Sequence, residues 1–120
     1  TDHAPHAPEE KEVEFIYAPN GILGLQTAWP VVIRCLLEPG HLKLHEILER
    51  LVMAPRRIMR LPVPDLKPGT LANLTVFSTD EEWTYTKENN QSRSRNSPYL
   101  GQKLYGKAVG IYNKGRWKAG

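Results

Sequence analysis

The sequence predicts an α/β chain with a helical first half and a second half built from strands. Three observations lead there. Apolar residues recur at spacings of three and four between residues 24 and 61. Beyond residue 71, β-branched and aromatic residues gather in short runs. Between the two, Pro62-Val63-Pro64 interrupts both patterns and divides 1–61 from 62–120. Ten prolines and nine glycines among 120 residues further favour short elements joined by tight turns.

Residues 1–23 read as loop, with two Ala-Pro steps, the charged stretch Glu9-Glu10-Lys11-Glu12 and the turn-like Ala18-Pro19-Asn20-Gly21. Such a segment makes no core of its own and needs a scaffold beneath it. A helix is predicted over 24–37, where Leu25, Ala28, Trp29, Val32, Ile33 and Leu36 form one stripe. Pro30 lies near its start, and Pro39-Gly40 ends it. A second helix is predicted from Lys43 to Val52, with Leu44, Ile47, Leu48 and Leu51 on one face. Met53-Ala54-Pro55 restarts a short helix over Arg56 to Leu61. Strands are predicted at Leu71–Phe77, Glu82–Tyr85 and Leu104–Tyr112. Asn113-Lys114-Gly115 then turns the chain into a last strand, Arg116–Lys118.

Composition bounds the partners. The net charge of +3 is modest. It arises in the second half, where Lys87, Arg93, Arg95, Lys103, Lys107, Lys114, Arg116 and Lys118 accompany a single acid, Glu88. That asymmetry is read as a solvated surface, with a basic nucleic-acid binder using Arg93, Arg95, Lys103 and Lys107 as the rival. No nucleic acid or membrane is expected as a partner: no apolar run reaches the length needed to cross a bilayer, and no signal-peptide pattern opens the sequence. The lone Cys35 excludes an internal disulfide and fits a reducing cytoplasm; its apolar neighbours predict a buried, inert thiol. His41 and His45 are expected to be solvated. Trp29, Trp83 and Trp117 are expected to pack rather than to stack on a ligand.

Asp2, His3 and His6 are the one cluster of metal-type side chains. A carboxylate with imidazoles suits Zn²⁺, whose catalytic sites keep a position open for water. By itself the cluster reads as a capped turn with two solvated histidines. Its context is long and ordered. Thr1-Asp2-His3-Ala4-Pro5-His6 is followed by Glu9-Glu10-Lys11, Ala18-Pro19-x-Gly21-Ile22 and Thr27-Ala28-x-Pro30. Then come Glu38-Pro39-Gly40, Ala54-Pro55-x-Arg57-Ile58 and Pro68-Gly69-Thr70-Leu71-Ala72-x-Leu74-Thr75-Val76-Phe77. Glu82-Trp83-Thr84, Thr86-Lys87-Glu88-Asn89, Asn96-Ser97-Pro98 and Leu104-x-Gly106 complete the series. In this order the motifs resemble the dihydroorotase family of the amidohydrolase superfamily, across nearly the whole chain.

The resemblance implies the C-terminal end of a (β/α)8 barrel over 1–61, followed over 62–120 by part of a small flanking β-sandwich domain. The Asp-x-Ala-Pro-His segment would close the eighth strand, where such barrels place their catalytic groups. Asp2 would be a zinc ligand and general base, His6 would hydrogen-bond the substrate carboxylate, and backbone groups of Asn20 and Gly21 would complete that grip. His3 would have a supporting role. The implied reaction is the zinc-dependent interconversion of dihydroorotate and N-carbamoyl-L-aspartate in pyrimidine (UMP) biosynthesis. A homo-oligomer or an association with aspartate carbamoyltransferase is implied as assembly. The remaining zinc ligands and seven strands would precede Thr1, so the 120 residues alone are expected to be inactive. Departures from the family pattern fall at Asn20 (usually aromatic), Arg60 (usually glycine), and Asn73 and Ser78 (usually acidic). The rival readings are an allantoinase- or dihydropyrimidinase-like hydrolase and a non-catalytic, dihydroorotase-like structural subunit.

Overall fold

A computed structural model describes residues 2–63 and 65–120; Thr1, which opens the motif, and Pro64, in the proline break, lie outside them. The N-terminal segment is not all loop. Pro8–Lys11 forms a short helix, α1, with proline at its first position, where a missing N–H costs nothing. Glu10 accepts the Ala7 N–H at 2.9 Å and so caps its own helix.

The predicted helix over 24–37 begins later, as α2 (Ala28–Val32), and continues through the wider π-type turns of Ile33–Leu37. Pro30 sits in its first turn, and the carbonyl of the buried Thr27 accepts the Val31 N–H. Leu25, assigned to the stripe, precedes the helix and is exposed. Cys35 is exposed as well, contrary to the expectation of burial. With Ile33 facing the sheet, the chain has turned Cys35 to the opposite side.

The second and third predicted helices are one run. α3 (Leu44–Leu48) passes through π-type turns at Glu49–Met53 into α4 (Ala54–Ile58). The wide turns pair the Ala54 N–H with the Glu49 carbonyl, so Pro55 enters without breaking the run. They also carry Leu51 off the α-helical stripe, and it lies exposed while Ile47 is buried. The run ends on Arg60 in the left-handed region, φ 53°, with the Leu61 N–H bonded to the Arg56 carbonyl at 2.8 Å. This is a Schellman end, whose left-handed position favours glycine.

The strand half forms one antiparallel sheet in the order β1-β2-β3, comprising β1 (Asn73–Thr84), β2 (Lys103–Asn113) and β3 (Arg116–Ala119). The two strands predicted at Leu71–Phe77 and Glu82–Tyr85 are a single β1 whose register shifts between Ser78 and Glu82. Ser78 causes the shift. Its hydroxyl oxygen accepts the Asp80 and Glu81 N–H groups at 3.1 and 2.8 Å, folding the extra residues into a bulge. The predicted hairpin at Asn113-Lys114-Gly115 is present, with both central residues at positive φ (48° and 76°) as a type I′ turn requires.

Helix and sheet meet at Gly106. A Cβ there would fall on the Ile33 side chain and lie 3.2 Å from both the Ser78 carbonyl and Trp29 Nε1. Trp29 packs edge-on to Phe77 at 4.7 Å and donates to the Ser78 carbonyl at 2.9 Å. The core is small: Leu23, Ile33, Ile47, Tyr85 and Leu104 are its buried apolar members. The radius of gyration is 16.7 Å, against about 14 Å for a compact chain of this length, and large apolar side chains such as Phe15, Leu25 and Ile58 are exposed. No described helix is long and apolar enough to cross a membrane.

Two expectations follow. Arg60→Gly relieves the left-handed strain and stabilises the chain by about 1 kcal/mol, read as a higher denaturant midpoint at unchanged slope. Burial pushes the Tyr85 phenol above the ordinary tyrosine value. The folded form therefore holds that proton more tightly than the unfolded one. The resulting stability is complete below about pH 10 and is lost as pH rises through the raised value. An alkaline unfolding transition that moves to higher pH in Tyr85→Phe is the expected measurement.

Candidate active-site corner

Extended residues 2–6 run beside residues 20–23, joined by the Ala4 N–H to the Ile22 carbonyl at 2.9 Å. Gly21, at φ 100°, makes the approach possible: a Cβ there would collide with the Ala4 side chain and lie 3.9 Å from Asp2 Oδ2. The exposed Asp2 carboxylate thus stands over Gly21. His6 Nε2 lies 3.1 Å from the Asn20 carbonyl. Asp2, His6, Asn20 and Gly21 are therefore brought into one corner.

His3 takes a different part. Its Nδ1 accepts the N–H groups of Gly24 and Leu25 at 3.2 and 3.4 Å, so the ring props the next stretch of backbone. A cleft of about 150 Å³ beside it is lined by Leu23, Thr27, Tyr85 and Asn90, but by neither Asp2 nor His6.

The corner also depends on a residue from the other end of the chain. Asn96 Oδ1 accepts the His6 N–H at 3.2 Å, and Asn96 Nδ2 donates to the Ala4 carbonyl at 2.7 Å and to the Gly21 carbonyl at 3.4 Å. Its own carbonyl accepts the Leu23 N–H at 3.1 Å. One carboxamide joins the segment bearing Asp2 and His6 to the segment bearing Asn20 and Gly21. Sequence reasoning quoted Asn96-Ser97-Pro98 as a motif without giving it a task. The signal available was its position in the ordered series.

The basic stretch around Asn96 is shaped by short polar turns. Asn89 bonds Thr84 and Thr86, while Asn90 accepts from the Tyr85 hydroxyl and donates to the Ser94 carbonyl. Gln26 reaches across to bond Asn89 and Gln91.

Among the described residues no three metal-type side chains converge. Asp2 can give one oxygen ligand, and a catalytic zinc needs three protein ligands, so these residues do not make a metal centre by themselves.

Asn96→Ala should remove three hydrogen bonds of the corner and destabilise it by about 2–3 kcal/mol. Amide exchange at His6 and Leu23 should quicken, while the β2–β3 hairpin keeps its protection. Asn96→Asp should do no better, because its carboxylate would face the Ala4 and Gly21 carbonyls.

No protein-family model matches the chain. It is similar to curated proteins named dihydroorotase. Against that of Clostridioides difficile it is 40% identical over 107 residues, 89% of this chain and 25% of the relative. Against that of Geobacter sp. it is 41% identical over 116 residues, 97% of this chain and 27% of the relative. The protein of Chlorobaculum tepidum gives 42% over 116 residues, 97% of this chain and 26% of the relative. Among solved structures, D-hydantoinase (dihydropyrimidinase) from Thermus sp. superposes with a TM-score of 0.70. That match has 18% identity and covers 99% of this chain and 27% of that one, a likeness of fold. The chain is accordingly a homologue of proteins named dihydroorotase, and it spans about a quarter of the length of these relatives.

Proposed function

We propose that this chain supplies the catalytic carboxylate and the substrate-carboxylate grip of a dihydroorotase. The enzyme would interconvert dihydroorotate and N-carbamoyl-L-aspartate in the cytoplasmic pathway to UMP. The observation that carries the reading is the convergence of Asp2, His6, Asn20 and Gly21 at one corner, pinned by Asn96. The identity to proteins named dihydroorotase supports the choice of substrate.

On this reading Asp2 is the general base. It takes a proton from water as the hydroxyl adds to the ring carbonyl carbon. The ring C–N bond then breaks, and the proton passes from Asp2 to the departing nitrogen. His6 would share its Nε2 hydrogen between the Asn20 carbonyl and the substrate carboxylate, and backbone groups of Asn20 and Gly21 close the other side. Zinc belongs to the same proposal, with Asp2 giving one ligand and the others coming from outside these 120 residues. So do the division at residue 62 between the end of a (β/α)8 barrel and part of a β-sandwich, and a homo-oligomeric or aspartate carbamoyltransferase-bound assembly.

The test is turnover. The 120 residues alone should show none. Fused behind the remaining part of a dihydroorotase relative, such as that of Clostridioides difficile, they should turn over dihydroorotate. Asp2→Asn should lower kcat of the fusion by about 10²–10⁴-fold. Steady turnover by the 120 residues alone, or an Asp2→Asn fusion with undiminished kcat, would overturn the reading. A fusion that prefers hydantoins or dihydropyrimidines would favour the dihydropyrimidinase-like alternative.

A further inference from the structure

Glu9-Glu10-Lys11 belongs to the ordered motifs, yet the reaction gives it no task. Its geometry does. Glu10 Oε2 caps the Ala7 N–H at 2.9 Å and lies 3.4 Å from His6 Nδ1, one helical turn back. Glu10 therefore faces the Nδ1 edge of the ring. The opposite ring nitrogen, Nε2, is aimed at the Asn20 carbonyl at 3.1 Å. The imidazole is thus held from both sides.

The next residue grips the other partner. Lys11 Nζ donates to the Pro19 carbonyl at 2.6 Å, immediately before Asn20 and Gly21. Lys11 is half-buried, so this contact is more than a solvated charge resting on a surface. Consecutive residues of α1 therefore hold the two segments whose meeting makes the corner. Glu9, on the same helix, is exposed.

We propose that α1 is a clamp, with Glu10 the positioning residue for the His6 ring and Lys11 the positioning residue for the Asn20–Gly21 backbone. The clamp thereby sets the affinity for the substrate carboxylate rather than the rate of the chemical step. This rests on the reading of His6 as a substrate contact, and the experiment separates the two.

The first measurement is the ¹H–¹⁵N spectrum of the imidazoles in the 120-residue chain. Glu10→Ala should move the His6 Nδ1 resonance, leaving His3, held by Gly24 and Leu25, as the unchanged internal control. Glu10→Gln, which keeps an acceptor for Nδ1 and for the cap, should restore it. The second measurement is steady-state turnover of dihydroorotate by the fusion. Glu10→Ala and Lys11→Met should each raise KM about tenfold with kcat held within about twofold. Glu10→Gln should recover most of the loss, and Glu9→Ala should change neither parameter. An unmoved His6 resonance in Glu10→Ala, or a fall in kcat at constant KM, overturns the clamp. If His6→Ala leaves KM unchanged, the substrate-contact reading fails instead, and the imidazole spectrum still decides whether Glu10 holds the ring.

Discussion

The Asn96 carboxamide is the constraint on which the candidate corner depends. An asparagine side chain offers an acceptor and two donor hydrogens in one plane, and here all three meet backbone groups of two separate segments. Neither segment has a ladder of its own to hold it. Residues 2–6 and 20–23 share the Ala4–Ile22 bond and the His6–Asn20 contact, and Asn96 and His3 add the other joints that align them. The turns built by Asn89 and Asn90 consequently matter to the corner although neither touches it. They fix where Asn96 stands. Position 96 sets the geometry of positions 4, 6 and 21 across almost the full length of the sequence.

A second constraint acts between helix and sheet. Gly106 has no side chain because Ile33, Trp29 and the Ser78 carbonyl occupy that space. Burying Ile33 against β2 contributes on the order of 2 kcal/mol, and few other apolar side chains are fully covered. So small a core makes individual polar contacts count for more. The Trp29 donation to Ser78 and the Trp83 donation to the Gly106 carbonyl at 2.9 Å fasten helix and strands around the same glycine.

Much of the fold was legible in the sequence because its signals are local. β-Branched runs marked β1 and β2, and Asn113-Lys114-Gly115 marked the hairpin, whose two central residues take positive φ. Other features were hidden by long-range packing. The π-type turns at Ile33–Leu37 and Glu49–Met53 leave no spacing signature, and they moved Leu51 off the predicted face. The β1 bulge depends on one hydroxyl, that of Ser78, which reads as an ordinary strand residue. At the corner, motif order alone brought Asp2 and His6 together with Asn20 and Gly21. The joints themselves were invisible: a side chain that bonds backbone some ninety residues away has no periodicity to betray it. Arg60 is the converse case. Its departure from a family glycine was visible in sequence, and the structure supplies the reason for that glycine in the left-handed end of α4.

The Asn20 contact with His6 has one more implication. It is made through the main chain, and a carbonyl oxygen is the same whatever residue carries it. The exposed Asn20 side chain is therefore free of the duty that holds its backbone in place. An amide can stand there instead of an aromatic ring without loosening the imidazole. The position is built like an interchangeable tip on a fixed handle, where variation can reshape what the corner meets while its skeleton stays the same.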